Sequence, residues 1–302
     1  MTKAILVAGS LHYDVVVVSP RMPAIDETLM GRAVRYIVGG KGRNQAVAVA
    51  RNGVPAYMAG RVGDDQPGKL VTADLMAHGV DISLLQTGVG ETTGMSVAIV
   101  NDQGEYGAVV VSGANLNFDV SRVAAPTGAS LLLLQNEISE DANLVLARLA
   151  RKAGVRIVLN AAPARPIASA LLGLTDCLVV NRIEAEMLTG EKVTDPDSAL
   201  AVARAFSSFS GNLIITLGAQ GAVIRAARSR PVHQPAFPAK SVSAHGAGDF
   251  FVGSFASQIA AGAILETAVR YAQAASSIYV ATPVEERHLI RPITIRAKLE
   301  GN

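Results

Sequence analysis

The sequence predicts a three-layer α/β/α fold with a mostly parallel central sheet and a small additional β-sheet that projects from the main domain. Short, continuous apolar runs recur along the chain between Gly, Asn or Gln residues, as is typical of strands buried on both faces. Stretches of helical periodicity separate these runs, and such alternation favours a sheet covered by helices on both sides. Two further stretches carry strand patterns without a helix of their own, which indicates a second sheet.

The strands of the central sheet are predicted from six apolar runs, namely AILVAG, AYMAGRV, LLLLQ, VRIVLN, CLVVN and LIITLG. Helices are predicted between them, including 141–153, 198–208 and 250–261. The small sheet is predicted at 14–37 and 92–111, and the main domain at 1–13, 38–91 and 112–302. Ligands are expected at the carboxyl ends of the strands.

Composition excludes several classes of function. Of 302 residues, half are apolar, and 27 basic residues balance 25 acidic ones without long blocks of either sign. Aromatic residues make up 4% and Trp is absent, which argues against a nucleic-acid binder. The longest apolar runs are too short to span a bilayer, so no membrane partner is expected. The single cysteine, Cys177, and an N-terminus that reads as a strand rather than a signal peptide predict a cytoplasmic protein.

The first motif with candidate functional residues is VGGKGRNQAVAVARNG, at 38–53. Gly40 precedes a predicted helix and permits a sharp turn and a ligand's close approach to the backbone. Lys41 and Asn44 are three residues apart, so they share one side of the first helical turn. A cation and an amide beside free N–H groups suit a polyhydroxylated ligand or an anion. The alternative is that the glycines only allow the helix to begin, with the side chains of Lys41 and Asn44 exposed to solvent.

Two more motifs follow predicted strands. In VVNRIEAEMLTG, Asn181 and Glu184 either form a capping box or face a magnesium–phosphate assembly. In LIITLGAQGAV, a strand ends at Thr216, and Gly218 and Gly221 bracket a tight turn whose N–H groups suit nucleotide phosphates. The second signal is weak by itself, since many strand ends carry two glycines.

The fourth motif, SAHGAGDFFVGSF at 243–255, gives the sharpest indication of chemistry. Gly246, Ala247 and Gly248 leave little bulk over their amides, so several N–H groups can converge on one anion at the start of a helix. Asp249 is either a helix cap or a base beside that anion. A carboxylate next to phosphate charge makes sense if a substrate hydroxyl lies between them and gives up its proton.

In this order, the motifs resemble the ribokinase-like (PfkB) family of carbohydrate kinases. The resemblance runs almost end to end and includes GSLHYD, GGKGRNQAVA, RVGDD, SGAN, LLQNE, NAAPAR, NRIEAEMLTG, ITLGAQG and GAGDFFVG. It implies that the small sheet at 14–37 and 92–111 is a lid, through which two copies of the chain form a homodimer. It also implies transfer of phosphate from ATP, with Mg²⁺, to a sugar hydroxymethyl group. The form of the first motif is more similar to the ribose kinases of the family than to its fructose or adenosine kinases, so D-ribose is the expected substrate.

The resemblance also implies roles for single residues. Those matched to the sugar site are Asp14, Gly40, Lys41, Asn44 and Glu137, with His12 where the family's ribose kinases carry a sugar-binding Asn. Asp249 is matched to the catalytic base, and Gly246, Ala247 and Gly248 to the anion hole. Asn181, Thr216, Gly218 and Gly221 are matched to the nucleotide site, and Glu184 to the magnesium region.

Two departures from the family pattern affect these expectations. An Asp that contributes to a monovalent-cation site in the family is replaced by the segment Ser243-Ala244-His245, and the later Gly-Ala segment is unrecognisable in ATPVEERHLIRP. We therefore expect weak or absent activation by potassium. His12 and Arg43 either alter sugar choice, admitting a substrate as large as a nucleoside, or are neutral. A kinase for a nucleoside or another sugar, and a sugar- or nucleotide-binding regulator with degenerate catalysis, are the alternatives.

Overall fold

The apolar runs form strands, as predicted. The computed structural model describes residues 3–103, 105–124, 128–206 and 209–301. Its strands are β1 (Ala4–Ala8), β2 (His12–Ser19), β3 (Ala33–Gly39), β4 (Ala56–Gly63), β5 (Asp81–Gly88), β6 (Met95–Asn101), β7 (Tyr106–Val111), β8 (Ala129–Gln135), β9 (Arg156–Asn160), β10 (Cys177–Asn181), β11 (Asn212–Thr216), β12 (Ala222–Arg225) and β13 (Val232–Gln234). The six predicted runs correspond to β1, β4, β8, β9, β10 and β11.

Helices connect most of the parallel strands. They are α1 (Lys41–Arg51), α2 (Gln66–Ala77), α3 (Glu140–Lys152), α4 (Ser169–Leu174), α5 (Arg182–Thr189), α6 (Pro196–Ala205), α7 (Ala247–Ala260), α8 (Leu265–Ala281) and α9 (Pro292–Glu300). Four of them begin where a side chain accepts a hydrogen bond from the first turn, at Asp65, Ser139, Asn181 and Asp195. Within the described ranges, no helix is both long and apolar enough to cross a membrane.

The helix predicted at 141–153 lies one residue earlier, at Glu140–Lys152, and two other helices differ more from their predicted bounds. The helix predicted at 198–208 begins at Pro196, after the Asp195 cap, and ends at Ala205; Ser208 lies outside the described residues. The helix predicted from residue 250 begins at Ala247 instead, because the left-handed conformation of Gly246 turns the chain directly into it. Asp249 therefore lies in the first turn of α7.

The central sheet is mostly parallel. In the described part of the chain it has the strand order β13-β12-β11-β10-β9-β8-β1-β4-β5, and only the edge strands β12 and β13 are antiparallel to their neighbours. Alternate side chains point to opposite faces. Leu131 and Leu133 belong to a core shared with α1, α2, α7 and α8, whereas Leu132 and Leu134 belong to a core shared with α3, α4, α5 and α6. This arrangement confirms the predicted three-layer fold.

A separate small sheet has the order β3-β2-β6-β7. It consists of two antiparallel pairs, β2 with β3 and β6 with β7, joined by parallel pairing of β2 with β6. Its strands lie in the two segments predicted to leave the main fold, although β2 begins at His12 and β3 ends at Gly39. From Gly39 the chain passes through Gly40 directly into α1, so this sheet lies next to the amino end of that helix.

Candidate active site

Polar residues gather at the carboxyl ends of the parallel strands. The register pairs Gln135 at the end of β8 with Asn160 at the end of β9, and Asn181 with Thr216 on the next two strands. An open cleft of about 140 Å³, continuous with solvent, lies at this edge. Its lining includes Lys41, Asn160, Asn181, Glu184, Thr216, Gly246, Gly248 and Asp249. Seven of the fifteen predicted site residues thus line one cavity.

Asp249 is buried at the bottom of this cleft, with only 8% of its surface exposed. Its Oδ2 accepts a 3.0 Å hydrogen bond from Nδ2 of Asn44, and its Oδ1 accepts one of 3.0 Å from Nε2 of Gln45. Both donors belong to α1, and α7 has no side-chain cap, so the carboxylate does not act as a helix cap. Burial raises the pKa of Asp249, and the charge of Lys41 and the two amides oppose that rise.

Lys41 is the ammonium group among the carboxylates of the cleft. Burial disfavours its charge, but Asp249, Glu137 and Glu184 together outweigh that effect and raise the pKa of Lys41. The backbone N–H of Lys41 also donates a 2.9 Å hydrogen bond to Oε2 of Glu137, which in turn accepts a short hydrogen bond from Oγ of Ser10. Glu137 therefore fixes the first turn of α1 against the end of β1.

Two glycines shape the backbone around these side chains. Gly40 has a φ of +89°, and a Cβ there would lie 2.7 Å from the carbonyl oxygen of Ser10. Gly246 has a φ of +77°, and a Cβ there would lie 2.8 Å from Oη of Tyr279. A residue with a Cβ could not adopt the positive φ, or fit beside the neighbouring atom, at either position without strain. Each glycine allows a helix to begin immediately beside the cleft.

The amides at the start of α7 differ in their availability. The N–H of Ala247 donates to the carbonyl oxygen of Ala244 at 3.1 Å, within a turn. The N–H groups of Gly246, Gly248 and Asp249 have no acceptor among the described residues. Gly246 and Gly248 line the cleft, so the donors left for an anion come from residues on both sides of Ala247.

Asn181 and Glu184 form the capping box that the sequence suggests as one alternative. Oδ1 of Asn181 accepts from the N–H of Glu184 at 3.0 Å, and Oε2 of Glu184 accepts from the N–H of Asn181 at 2.7 Å. Both residues also line the cleft, so the cap does not exclude the second alternative. Burial raises the pKa of Glu184, opposed by its hydrogen bond from Asn181 and by Lys41.

The turn after β11 leads away from the cleft. Thr216 lines the cavity, and its hydroxyl donates a 3.4 Å hydrogen bond to the carbonyl oxygen of Val180. Gly218 and Gly221 both have positive φ, and a Cβ on Gly221 would lie 2.1 Å from the carbonyl oxygen of Gln234. Gly221 is therefore required sterically, whereas Gly218 has open space where a side chain would be.

Asp14, His12 and Arg43 lie at the side of the small sheet. Oδ1 of Asp14 accepts hydrogen bonds from the N–H and Oγ of Ser96, at 2.7 and 2.6 Å. His12 is buried against Gly94, and no described residue makes a hydrogen bond to its ring. Arg43 is paired with Asp74 of α2, with Nε donating to Oδ2 at 2.7 Å. The Arg43 side chain is thus engaged within the protein.

Sequence reasoning missed a buried amide network behind Asp249. Nε2 of Gln45 donates to both Asp249 and Oδ1 of Asn160, at 3.0 and 2.9 Å, while Oε1 of Gln45 accepts from Nε2 of Gln135 at 2.9 Å. Gln45 and Gln135 have no exposed surface. The available signal was the polarity of these residues within apolar runs, since buried amides are kept only where they are hydrogen-bonded.

Comparisons with known proteins agree with this geometry. Residues 2–284 match the pfkB family of carbohydrate kinases. The ribokinase of Bacillus subtilis is 35% identical over 280 residues, covering 91% of this chain and 92% of the relative. The ribokinase of Haemophilus influenzae is 35% identical over 286 residues, covering 93% of each. Arabidopsis thaliana ribokinase complexed with ribose and ATP superposes with a TM-score of 0.89 at 29% identity, over 99% of both chains. This chain belongs to the pfkB family of carbohydrate kinases.

Proposed function

We propose that this protein is a ribokinase, which transfers the γ-phosphoryl group of ATP to the hydroxymethyl oxygen of D-ribose. The observation that carries the proposal is Asp249, a buried carboxylate held by two amides of α1 beside the unpaired N–H groups that begin α7. Ribokinases 35% identical over most of the chain support the choice of ribose, as does the similarity to a ribokinase structure that contains ribose and ATP.

In the reaction, Asp249 accepts the proton of the hydroxymethyl group. An O–P bond forms between that oxygen and the γ-phosphorus, the bond from the γ-phosphorus to the β–γ bridging oxygen breaks, and ADP leaves. The N–H groups of Gly246 and Gly248, with Ala247 between them, stabilise negative charge on the moving group. Because burial raises the pKa of Asp249, this carboxylate is a better proton acceptor than an exposed one.

The nucleotide and its cation fit the charge of the cleft. Three carboxylates there face the single ammonium of Lys41, so a triphosphate entering the cleft needs further positive charge. The described residues hold no group of three metal-ligating side chains, which suits Mg²⁺ carried by phosphates and water rather than by a protein cage. Glu184 is the proposed carboxylate of the magnesium region, and bound Mg²⁺ neutralises phosphate charge. Asn181, Thr216, Gly218 and Gly221 form the proposed nucleotide site.

The sugar site is proposed at the junction of the two sheets. Lys41, Asn44 and Glu137 meet there at the start of α1, and Gly40 lets the ligand approach the backbone. Asp14 and His12 contribute from the small sheet, which we propose acts as a lid that excludes water from the transferring phosphoryl group. We propose the division into lid and main domain along this boundary.

A second copy of the chain is the proposed partner of the lid. Tyr36, Val15, Val97 and Val109 pair across β3, β2, β6 and β7 and form one apolar row across the sheet. Three of these side chains are well exposed, with Val109 at 68%. An exposed apolar row of this kind is typical of an association surface, and a two-fold axis would place the row against its own copy.

We also propose a cytoplasmic location. Cys177 is a free thiol at the start of β10 and is buried in the core. Burial raises its pKa far above the usual range, so the thiolate is disfavoured. An inert, unpaired cysteine suits a reducing compartment.

The function is tested by following ADP release with pentoses, hexoses and nucleosides as acceptors in the presence of MgATP. We expect ribose to give the highest kcat/KM and phosphate to appear on its hydroxymethyl oxygen. A nucleoside with higher kcat/KM would identify a nucleoside kinase. Tight ribose or ATP binding with negligible turnover for every acceptor would identify a regulator instead. The Asp249→Asn variant provides the catalytically impaired control.

A further inference from the structure

Arg287 is a buried cation outside the site described above. It belongs to a single 3₁₀ turn, Val284–Leu289, between α8 and α9. The neighbouring residues Glu286 and His288 are exposed, whereas only 5% of Arg287 is accessible. Because a buried charge is costly unless it is fully hydrogen-bonded, the partners of this guanidinium indicate why it is there.

The guanidinium of Arg287 binds three backbone carbonyl oxygens. Nη1 donates to His245 at 2.9 Å, Nη2 to Ser243 at 2.5 Å and Nε to Thr282 at 3.3 Å. These carbonyls are its recorded acceptors in the described part of the chain, and no carboxylate is among them. Three carbonyl oxygens around one positive charge form a small cation site in which the cation is part of the protein.

The segment that Arg287 holds has little else to fix it. Between Phe237 and Asp249 no side chain is buried, so apolar packing does not position residues 238–248. The N–H groups of Val242 and Ser243 donate to the carbonyl of Val280 and attach one end of the segment. Arg287 is the distant residue that binds 244–246 in the described part of the chain, through the carbonyl of His245, and just beyond it the hydroxyl of Ser276 donates to the carbonyl of Ala247 at 3.3 Å.

The planar face of the Arg287 guanidinium connects its 3₁₀ turn to α7. Its guanidinium carbon lies 4.1 Å from the centre of the Tyr279 ring, and that ring stacks on Phe250 at 4.6 Å. Tyr279 is also the residue that would clash with any side chain at position 246. The stack therefore joins Arg287 to the residue next to Asp249 and to the glycine that begins the helix.

Peptide geometry connects the hydrogen bonds of Arg287 to the cleft. In a trans peptide the C=O and the following N–H point in opposite directions. The carbonyl of His245 faces the guanidinium, so the N–H of Gly246 points away from it, and this N–H has no acceptor among the described residues. A positive charge at the carbonyl end also polarises the peptide and strengthens its N–H as a donor.

We propose that Arg287 is a positioning residue for phosphoryl transfer, a resident cation that holds the carbonyls of Ser243 and His245 and directs the Gly246 amide at a nucleotide phosphate. The proposal rests on the proposed kinase function. It also supplies the physical reason for expecting no activation by potassium, because the protein provides its own cation at this turn.

The test compares wild-type protein with Arg287→Ala and Arg287→Lys, assayed with ribose and MgATP in a buffer free of sodium and potassium. We expect kcat of Arg287→Ala to fall by about tenfold or more, as for a lost charged hydrogen bond, with KM for ribose within about twofold. Arg287→Lys should retain more turnover. Low, non-denaturing guanidinium chloride should restore part of the kcat of Arg287→Ala and leave the wild type unchanged. The matched control is Arg291→Ala, since Arg291 also binds carbonyls, those of His288 and Ile290, but not the 243–245 segment.

Three outcomes would overturn the proposal. They are wild-type kcat in Arg287→Ala, a loss that guanidinium does not restore in a variant with a normal melting temperature, and an equal loss in Arg291→Ala. Should Arg287→Ala not fold, Arg287→Lys with a wild-type melting temperature and wild-type kcat would overturn it too.

If the wild type does not phosphorylate ribose, the proposed function fails, and calorimetry with Mg²⁺ and a non-hydrolysable ATP analogue tests Arg287 separately. Affinity should then fall in Arg287→Ala and recover with guanidinium, and unchanged affinity would reject the inference.

Discussion

The amide of Gln45 donates a 3.0 Å hydrogen bond to the carboxylate of Asp249, although 204 residues separate them. The same amide nitrogen donates to Asn160, and its oxygen accepts from Gln135. Bound in this way, the carboxylate of Asp249 is held in one orientation. The lone pairs that do not accept these hydrogen bonds remain for a substrate proton. The orientation of the proposed base is thus set by a residue that does not line the cleft.

Gln45→Ala should therefore lower both stability and turnover. It leaves Oδ1 of Asp249 and Oδ1 of Asn160 without their Gln45 donor, at about 1–3 kcal/mol each before relaxation, and leaves Nε2 of Gln135 only its long bond to the carbonyl of Leu133. It also removes a hydrogen bond that opposes the raised pKa of Asp249, so the acid limb of the pH profile of kcat should move to higher pH. Urea unfolding and kcat between acid and neutral pH measure the two effects. The exposed Gln66→Ala serves as the control, and an unchanged acid limb in Gln45→Ala would separate Gln45 from the base.

Asp249→Asn should fold and bind ribose but lose turnover by roughly a hundredfold or more, as expected when a general base is removed. One oxygen replaces two, so either Asn44 or Gln45 loses its acceptor, while a buried charge is also removed. We expect these effects on stability to offset each other in part. Calorimetric ribose affinity and kcat measure the outcome, with Asp141→Asn in the first turn of α3 as control. Wild-type kcat in Asp249→Asn would remove the base from the mechanism.

Lys41→Met should shift the acid limb of kcat to higher pH. The charge of Lys41 lowers the pKa of Asp249, so its removal leaves burial less opposed. A base is active when deprotonated, and activity is therefore lost at a higher pH as the solution is acidified. The same raised pKa means that the native state binds this proton more tightly than the unfolded chain, so the contribution of Asp249 to stability decreases as pH rises through its pKa.

The pH profile of kcat distinguishes this effect from a simple loss of binding. Lys69→Met, at an exposed position on α2, is the matched loss of one positive charge. A reduced kcat with an acid limb at its wild-type position would mean that Lys41 does not act on the titration of Asp249.

Potassium should leave the turnover of the wild-type protein unchanged within about twofold at constant ionic strength, because the carbonyls of Ser243 and His245 are already bound by Arg287. The measurement replaces tetramethylammonium by potassium stepwise at a fixed total concentration. In Arg287→Ala the vacated carbonyls should make turnover respond to potassium. A large rise in the wild-type rate would contradict this expectation.

Val97→Asp should weaken the proposed dimer, since a two-fold axis through the small sheet would bring the two introduced charges close together. Sedimentation over a range of protein concentrations measures the association. Val89→Asp is the control, because Val89 is 88% exposed but lies outside the small sheet, after β5. A wild-type protein that stays monomeric at all concentrations, or equal dissociation of both variants, would argue against association through this face.

Local features of the sequence determined the secondary structure and much of the site. Six apolar runs predicted six strands of the central sheet, because the period of burial along a strand or helix is a local property of the chain. Gly40 and Gly246 marked the entries to α1 and α7, since their backbone conformations exclude other residues. The pattern of Asn181 and Glu184 predicted its own capping box, which involves only neighbouring residues.

The partners of the buried polar groups were decided only by the tertiary structure. The sequence favours a base over a cap for Asp249 but leaves both open until α1 is placed beside α7, and Gln45 reads as one polar residue in an apolar helix. The segment around Arg287 has no recognisable motif, yet it folds back onto carbonyls more than forty residues earlier, 42 from His245 and 44 from Ser243. Hydrogen bonds between distant segments depend on how sheets and helices pack, and no local period in the sequence records that packing.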